Sequence, residues 1–527
     1  MGMTDSTLSR RHLLAAAGVS AAGATVLVGT PAAATARTPA VASSVPVSAG
    51  GTPAADVDAR PAAARPAATI TPGDRRYDSL LRGNNWRFAG RPDEIRVAAS
   101  TTDVVRAVAD AVRTGRRIAP RSGGHCFENF TADPAVRLLL DLSPMNAVGW
   151  DPARRAHYVE PGATLGEVYR ALFTGWGVTV PGGSCPEVGA GGHFAGGGYG
   201  PLSRRFGSVA DYVHAVEVVV PDRNGARAVI ATREPDDPHR DLWWAHTGAG
   251  GGQFGVVTRY WLRDLPPAPS TMLQHVVIWS WAGLTEAALT TLIRNFGTWH
   301  ERHSAPGTPE CGVYGILEAS HRTTGTVMLV AQADADLPGA GALIDGFIAA
   351  VAEGTGLTPV LDLRTPMPWL HRMTWPGSGM PGDVLTRRYK IKAAYLRRGF
   401  TEARRGAIWR HLTSAYGANM TIIGYGGQAN AVAPDATAIA QRSAVMKTTI
   451  AATWFGEADD AAHLELVRAF YRDVFGDVPA DGSYINYPDT DLPREAYYGS
   501  NYPRLRRVKS RWDPRNVFRH ALSVEPL

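Results

Sequence analysis

The chain has 527 residues and a mass of 56.2 kDa, which is too long for one small core and predicts two or three domains. Its formal net charge of +6 is small for this length, and the Arg and Lys residues are scattered, so nucleic acid is not expected as a partner. The 3 cysteines, Cys126, Cys185 and Cys311, are too few and odd in number for a disulfide framework.

The N-terminus predicts export. Arg10 and Arg11 precede a run of Ala, Gly and Val and then Ala34-Thr35-Ala36, a pattern typical of a twin-arginine signal peptide over residues 1–36. The run is too short and too weakly hydrophobic to span a bilayer, and no later segment approaches about 20 continuous apolar residues, so stable membrane insertion is not expected. The twin-arginine export machinery is therefore a predicted partner, and secretion is the predicted localisation.

Residues 37–72 predict a disordered linker. They are rich in Ala, Pro, Thr and Ser and nearly lack large apolar side chains. Such a segment cannot bury enough surface to offset the entropy lost on ordering.

From Asp74 the pattern becomes globular. Ser100-Thr-Thr-Asp103 resembles a capping box, the valines that follow recur at helical spacing, and Gly115 ends the helix. Further elements are predicted as strands over 117–120, 137–142, 156–160 and 177–181, a helix over 165–172, a hairpin around 222–225 and a strand over 256–262.

Two glycine-rich loops follow predicted strands. The first reads Arg121-Ser-Gly-Gly-His125-Cys-Phe, and the second runs from Pro181 through Cys185 to His193. Glycines let the backbone lie flat against a planar ring system and accept positive φ without steric cost. His125 and Cys185 are therefore candidate attachment points for one cofactor; the alternative is two tight turns that hold a buried His and Cys.

Other cofactor and catalytic motifs are excluded. Gly250, Gly252 and Gly255 satisfy Gly-x-Gly-x-x-Gly, but a dinucleotide fingerprint must open a helix and a strand is predicted next. The sequence contains no His-x-x-x-His and no paired cysteines, so no metal site is predicted. Gly-x-Ser-x-Gly is absent, which removes support for serine hydrolase chemistry.

A second domain is predicted to begin at Pro266-Pro-Ala-Pro. The segment 270–475 mixes strands and helices and carries no motif that identifies a ligand. The predicted strands are 275–278, 325–332 and 445–454, and the predicted helices are 285–296, 340–351 and 461–475.

The C-terminus carries Asn486-Tyr487-Pro-Asp489-x-Asp491, followed by an Arg-rich segment up to Phe518. Together with the two glycine loops, it resembles the berberine bridge enzyme-like flavoproteins of the vanillyl-alcohol oxidase superfamily. The resemblance implies an α+β fold in two parts. Residues 73–265 are expected to form an FAD-binding domain completed by a C-terminal return over 476–527, with a substrate domain inserted over 266–475 as an antiparallel sheet covered by helices.

The resemblance also implies FAD held by two covalent bonds. His125 is expected to bond the 8α-methyl group and Cys185 to bond C6, with Cys126 as the second candidate for the cysteinyl bond. Further FAD contacts are expected from Arg121, Ser122, Gly123, Gly124, Val188, Gly189, Gly192, His193, Gly197, Gly255, Val257, Asn486 and Tyr487.

Family roles can be assigned to several of these residues. His193, eight positions after Cys185, corresponds to a histidine near the N1–C2=O edge, where a donor or cation stabilises the charge that the flavin gains on reduction. Tyr487 corresponds to the usual catalytic base, with Tyr199 or Tyr425 as a second phenol. Val188 corresponds to a position where a small aliphatic side chain admits dioxygen.

The sequence therefore predicts a secreted FAD oxidase. Its expected reaction converts an alcohol, in a sugar, oligosaccharide or glycosylated natural product, to a ketone or lactone and reduces dioxygen to hydrogen peroxide. The founding alkaloid cyclase of the family uses a glutamate on the strand that corresponds to 445–454, and this strand lacks a carboxylate. A flavin dehydrogenase, an oxidative cyclase and a non-catalytic flavin-binding protein remain alternatives.

Overall fold

The structure of the chain is a computed structural model that describes residues 67–374, except 224, and residues 386–527. The predicted signal peptide and the predicted linker up to residue 66 lie outside these residues. Within the described ranges, no helix is long and apolar enough to cross a membrane.

The first part of the chain folds into two sheets, whose strands are β1 (Ala68–Ile70), β2 (Glu94–Val97), β3 (Ile118–Arg121), β4 (Leu138–Asp141), β5 (Val148–Asp151), β6 (Ala156–Val159), β7 (Val213–Asp222), β8 (Gly225–Thr232) and β9 (Val256–Leu262). The four-stranded sheet has the order β1-β2-β4-β3, in which β2, β4 and β3 are parallel. The five-stranded antiparallel sheet has the order β5-β6-β9-β7-β8.

The linker prediction is wrong for residues 68–70, which form β1 and pair with β2. Ile70 supplies a large apolar side chain that the composition of the segment hides, and it packs against Tyr77, Leu81 and Ile95. This burial, together with the ladder hydrogen bonds, offsets the entropy cost of ordering the strand.

The helices of this part are α1 (Thr101–Thr114), α2 (Leu165–Trp176), α3 (Ala190–Ala195), α4 (Ser203–Phe206) and α5 (Arg240–Ala245). As predicted, the Ser100 side chain caps α1 and Gly115 ends it at φ +67°.

The strand predicted over 177–181 is wrong: only Val178 forms a bridge, with Pro267. Pro266 and Pro267 have no N–H group, so this ladder cannot extend. β9 directly follows Gly255, which confirms that the glycine pattern there opens a strand.

The second part is built on a seven-stranded antiparallel sheet. Its strands are β10 (Thr271–Ser280), β11 (Tyr314–Ala319), β12 (Thr326–Asp334), β13 (Leu361–Pro368), β14 (Arg388–Leu396), β15 (Asn419–Gly424) and β16 (Met446–Trp454). The spatial order is β13-β10-β12-β11-β15-β16-β14, which places β14 at one edge. The helices are α6 (Glu286–Arg302), α7 (Ala340–Ala352), α8 (Trp369–Thr374), α9 (Glu402–Leu412) and α10 (Asp460–Phe475).

The two faces of the seven-stranded sheet have different neighbours, because side chains alternate along each strand. Val277, Leu317 and Leu329 belong to the large core that also contains the apolar faces of α6 and α7. Val276 and Val330 belong to a separate cluster that contains tyrosines from outside the sheet. The α+β class and the helix-covered antiparallel sheet therefore agree with the sequence, while the domain boundaries stay predictions.

After α10 the chain returns to the first part and forms α11 (Glu495–Tyr498) and α12 (Tyr502–Trp512). Lys509 Nζ donates to the carbonyl oxygen of Gln253, and the Gln253 side chain accepts from the Val524 amide at 2.8 Å. Phe518 packs in the core between α1 and the first sheet. This return places the segment 483–491 beside the two glycine loops.

The two glycine loops pack backbone to backbone. A Cβ atom at Gly189 would lie 2.2 Å from the Gly123 nitrogen, and one at Gly123 would lie 2.5 Å from the Gly189 nitrogen. The second loop is also tied to the start of α2, because the Leu165 amide donates to the Val188 carbonyl at 2.9 Å. Only glycine at these positions allows His125 and Cys185 to approach the same space.

We expect Gly189→Ala to destabilise the protein by about 3 kcal/mol or more, because the added methyl group overlaps backbone atoms that cannot rotate away. The matched control is Gly175→Ala in α2, where the added Cβ meets nothing within 4 Å. That change should leave stability unchanged or raise it slightly, since alanine favours the helix. Chemical denaturation of both purified variants measures the difference, and equal stabilities would show that the loops do not depend on this contact.

Candidate active site

Both glycine loops, the segment around Tyr487 and the inner face of the seven-stranded sheet line one cavity of about 260 Å³. The predicted site residues that line it are Arg121, Ser122, Gly123, Gly124, His125, Cys185, Val188, Gly189, Gly192, His193, Tyr199, Gly255, Val257, Asn486 and Tyr487. The fold therefore brings most of the predicted set together, although their contacts with FAD stay predictions.

His125 and Cys185 are both half-buried at this cavity. Burial lowers the pKa of His125 to about 4, with a smaller effect from Arg387, so its imidazole is neutral at pH 7. Burial raises the pKa of the Cys185 thiol to about 11. A neutral imidazole keeps the lone pair that a bond to carbon requires.

His193 is held by hydrogen bonds in a single tautomer. The Gly183 amide donates to His193 Nε2 at 3.1 Å, so this nitrogen is an acceptor and the ring proton lies on Nδ1. Asn486 Nδ2 donates to the His193 carbonyl at 2.9 Å and thereby fixes the backbone. Burial, followed by the charges of Lys447 and His125, lowers the pKa of His193 to about 3. Of the two possibilities that the sequence leaves open, a donor or a cation, the structure therefore favours the donor.

Tyr487 lies in a cluster of aromatic rings. Phe127, two residues after His125, stacks on it with ring centroids 5.3 Å apart and an interplanar angle of 24°. Tyr484 packs edge-on at 5.3 Å. Burial raises the pKa of the Tyr487 phenol, with smaller contributions from Tyr314 and Cys185. A phenol in this environment does not act as a base at neutral pH unless a positive charge stabilises its anion.

Lys447, which the sequence does not single out, can carry that charge. Its ammonium nitrogen lies 4.2 Å from the ring centroid of Tyr199 and 4.9 Å from those of Tyr484 and Tyr487. Among the residues that the structure describes, no carboxylate forms an ion pair with Lys447. Burial lowers its pKa to about 7. The available signal is a lysine near the start of the otherwise uncharged strand 445–454.

The other predicted phenols take different positions. Tyr199 lines the cavity, and its hydroxyl donates to the Gly424 carbonyl. Tyr425 stacks behind Tyr199 at 4.7 Å and does not line the cavity. Tyr314 on β11 does line it, although no sequence motif marks it. A catalytic role for Tyr199 or Tyr425 stays a prediction, and the geometry makes Tyr314 a further phenol at this cavity.

Two predicted cofactor contacts are placed differently from the rest. Arg121 lines the cavity, but its guanidinium is bound to Asp141 and to the Leu80 carbonyl, so its charge is already paired. Gly197 adopts φ +106° against Ile439 and does not line the cavity. Glycine is needed there for the positive φ of a turn. A glycine pattern in the sequence does not distinguish this need from contact with a ligand.

Two family models match the chain: an FAD binding domain over residues 92–224 and "Berberine and berberine like" over residues 483–525. The chain is 49% identical over 487 residues to aclacinomycin-N/aclacinomycin-A oxidase of Streptomyces galilaeus, which covers 86% of this chain and 89% of that protein.

Solved structures of similar proteins share this fold. The crystal structure of aclacinomycin oxidoreductase matches with a TM-score of 0.84 and 48% identity, over 88% of this chain and 100% of that one. A glycopeptide hexose oxidase solved with teicoplanin matches with a TM-score of 0.83 and 44% identity, over 88% of this chain and 99% of that one. The chain therefore belongs to the berberine bridge enzyme-like FAD-linked oxidases and is an FAD-dependent oxidoreductase.

Proposed function

We propose that the chain is an exported oxidase with bicovalent FAD, which converts a hydroxyl group of a sugar or glycosylated natural product to a carbonyl group. The observation that carries this proposal is the Tyr487 phenol beside Lys447, at the cavity that His125 and Cys185 share. The activities for which the relatives are named support the substrate class, and Arg10-Arg11 with the apolar run that follows supports export.

The cavity fits FAD by its shape and by its donors. A Cβ atom at Gly192 would meet no atom within 4 Å, so the backbone there is open to a flat ring system. His125 and Cys185 would hold the ring, and the Nδ1–H of His193 would donate to it. Bound FAD would supply the hydride acceptor and pass the electrons on to dioxygen.

Lys447 would stabilise the phenolate of Tyr487, and this phenolate would accept the hydroxyl proton of the substrate and become a neutral phenol. Below pH about 7 the pair is a phenol and an ammonium ion, and it has no site for another proton. Above that pH the pair has lost one proton, from either oxygen or nitrogen, and it can accept one from the substrate. The apolar cavity wall excludes water and strengthens the attraction between the cation and the phenolate.

Covalent attachment is tested by denaturation. We expect acid-precipitated protein to stay yellow and to carry the mass of one FAD, because both bonds survive unfolding. His125→Ala and Cys185→Ala should each retain flavin through the remaining bond, and the double variant should release it. Cys126→Ala is the matched control and should keep both bonds. Colour that washes out of the wild-type pellet would rule out covalent attachment.

The Tyr487–Lys447 pair predicts a pH profile. In the wild type, kcat/KM should rise with pH through about 7, the pKa of Lys447. Tyr487→Phe should lower kcat by about 100-fold or more, which is the usual contribution of a general base. In Lys447→Met, the rise of kcat/KM near pH 7 should disappear. A rise should occur instead at higher pH, towards the pKa of the buried phenol. Tyr484→Phe removes a phenol whose ring is equally close to Lys447, and it should keep the rise of kcat/KM near pH 7. Full turnover by Tyr487→Phe would exclude Tyr487 as the base.

Substrate and acceptor are tested together by anaerobic bleaching of the flavin with aclacinomycin N, aclacinomycin A, D-glucose and oligosaccharides, followed by mixing with oxygen. An oxidase reoxidises rapidly, and Val188→Leu should slow this step more than reduction by substrate, because the larger side chain narrows access for oxygen. Slow reoxidation of the wild type would indicate a dehydrogenase. A product without a new carbonyl group would indicate a cyclase, and a flavin that no alcohol bleaches would indicate a binding protein.

A further inference from the structure

A buried ion pair network connects the loop that carries His125 to the segment that carries Tyr487. Lys390 on β14 donates from Nζ to Glu128 at 2.6 Å and to Asp489 at 2.7 Å. The three side chains are only 2%, 5% and 0% exposed. Glu128 is three residues after His125, and Asp489 is two residues after Tyr487. One lysine therefore contacts both segments.

The network is balanced in charge. Lys392 pairs with Asp489 and, at 3.2 Å, with Asp491, and Arg468 pairs with Asp491 at 2.8 Å. Burial alone would lower the pKa of Lys390, but the attraction of Asp489 and Glu128 outweighs it, and the pKa is raised. Lys390 therefore stays charged at neutral pH, and loss of a single partner leaves an uncompensated buried charge.

The same two segments also meet on the other face of β14. Tyr389 and Ile391 flank Lys390 on this edge strand and point to the opposite side, where they pack with Phe127 and Tyr487. Asn85 Nδ2 donates to the carbonyls of Phe127 and Tyr389 at 2.9 and 3.0 Å. The edge strand is thus enclosed by aromatic packing on one face and by the ion pairs on the other.

We propose that Glu128, Lys390 and Asp489 form a positioning bridge, which fixes the Tyr487 phenol relative to the cofactor attached at His125. The proposal rests on the role of Tyr487 given above. None of the three residues lines the cavity, so they act through the two segments that they join. A general base requires its distance to the reacting hydroxyl to be held closely, and a displacement of about 1 Å costs on the order of 100-fold in rate.

The test is hydrogen exchange of the flavin-loaded protein, measured by mass spectrometry. Glu128→Gln keeps a hydrogen-bond acceptor and leaves Lys390 paired with Asp489. If the bridge operates, this change in the first segment should speed amide exchange in residues 484–491, and the reciprocal Asp489→Asn should speed exchange in residues 121–130. Lys392→Gln is the control, because the Lys392 side chain is as buried as that of Glu128 and pairs with the same Asp489. This change should leave amide exchange in residues 121–130 unchanged.

The kinetic consequence is measured by anaerobic stopped-flow with an alcohol that bleaches the wild-type flavin. In Glu128→Gln the limiting rate of flavin reduction should fall on the order of 100-fold, while substrate affinity changes by no more than about threefold. Reoxidation by oxygen should be unchanged. If Glu128 has a purely structural role, Glu128→Gln should instead reduce flavin content and thermal stability. The rate of flavin reduction would then not fall separately from substrate affinity.

Exchange that rises only around Glu128, or evenly over the whole protein, would overturn the bridge. Failure of the proposed function has a different signature. If Tyr487→Phe retains full turnover while Glu128→Gln still speeds exchange in residues 484–491, the bridge is upheld and the catalytic role of Tyr487 is lost.

Discussion

The site depends on a close approach between two stretches of backbone. Gly123 and Gly189 come so near to each other that a methyl group on either would overlap a backbone nitrogen. Protein interiors are packed too tightly to absorb such an overlap without shifting the loops. His125 and Cys185 are carried by these loops, so they reach one cavity only because positions 123 and 189 are glycines. The positions of the two candidate attachment residues therefore depend on two glycines that carry no reactive group.

Two buried lysines on the same sheet show how the surroundings decide what a charged group does. Lys390 has Glu128 and Asp489 within hydrogen-bond distance, and its pKa is raised. Lys447 has tyrosine rings around it in place of carboxylates, and burial lowers its pKa to about 7. The first remains a fixed charge and supports geometry. The second can change its protonation state near neutral pH, which is what proton transfer requires.

The local features of the fold were readable from the sequence, and the long-range contacts were not. The cap at Ser100, the glycine that ends α1 and the strand after Gly255 depend on a few neighbouring residues, and all were predicted. No strand was predicted at β14, whose alternating Lys390 and Lys392 resemble a solvated face. Their carboxylate partners lie far away along the chain, so one sequence cannot show that this polar face is buried. Lys447 is hidden for a different reason: a lone lysine on a strand is normally assigned to solvent, and the tyrosines that surround it lie elsewhere along the chain.

The substrate is hard to read from the sequence because much of the inner face of the seven-stranded sheet, from which Tyr314 and Lys447 reach the cavity, is apolar. Val276, Ile316, Val330 and Ile423 pack with Tyr199 and Tyr487 on the inner face of the seven-stranded sheet. Apolar surfaces select by shape, and one methylene group changes binding by only about 1–3 kcal/mol. Polar groups that line the cavity, among them the phenols of Tyr314 and Tyr487, therefore offer more discrimination between substrates than an apolar surface does. For the oxidase proposed above, the place of Tyr487 beside Lys447 therefore constrains the reaction more tightly than the apolar sheet face constrains the substrate.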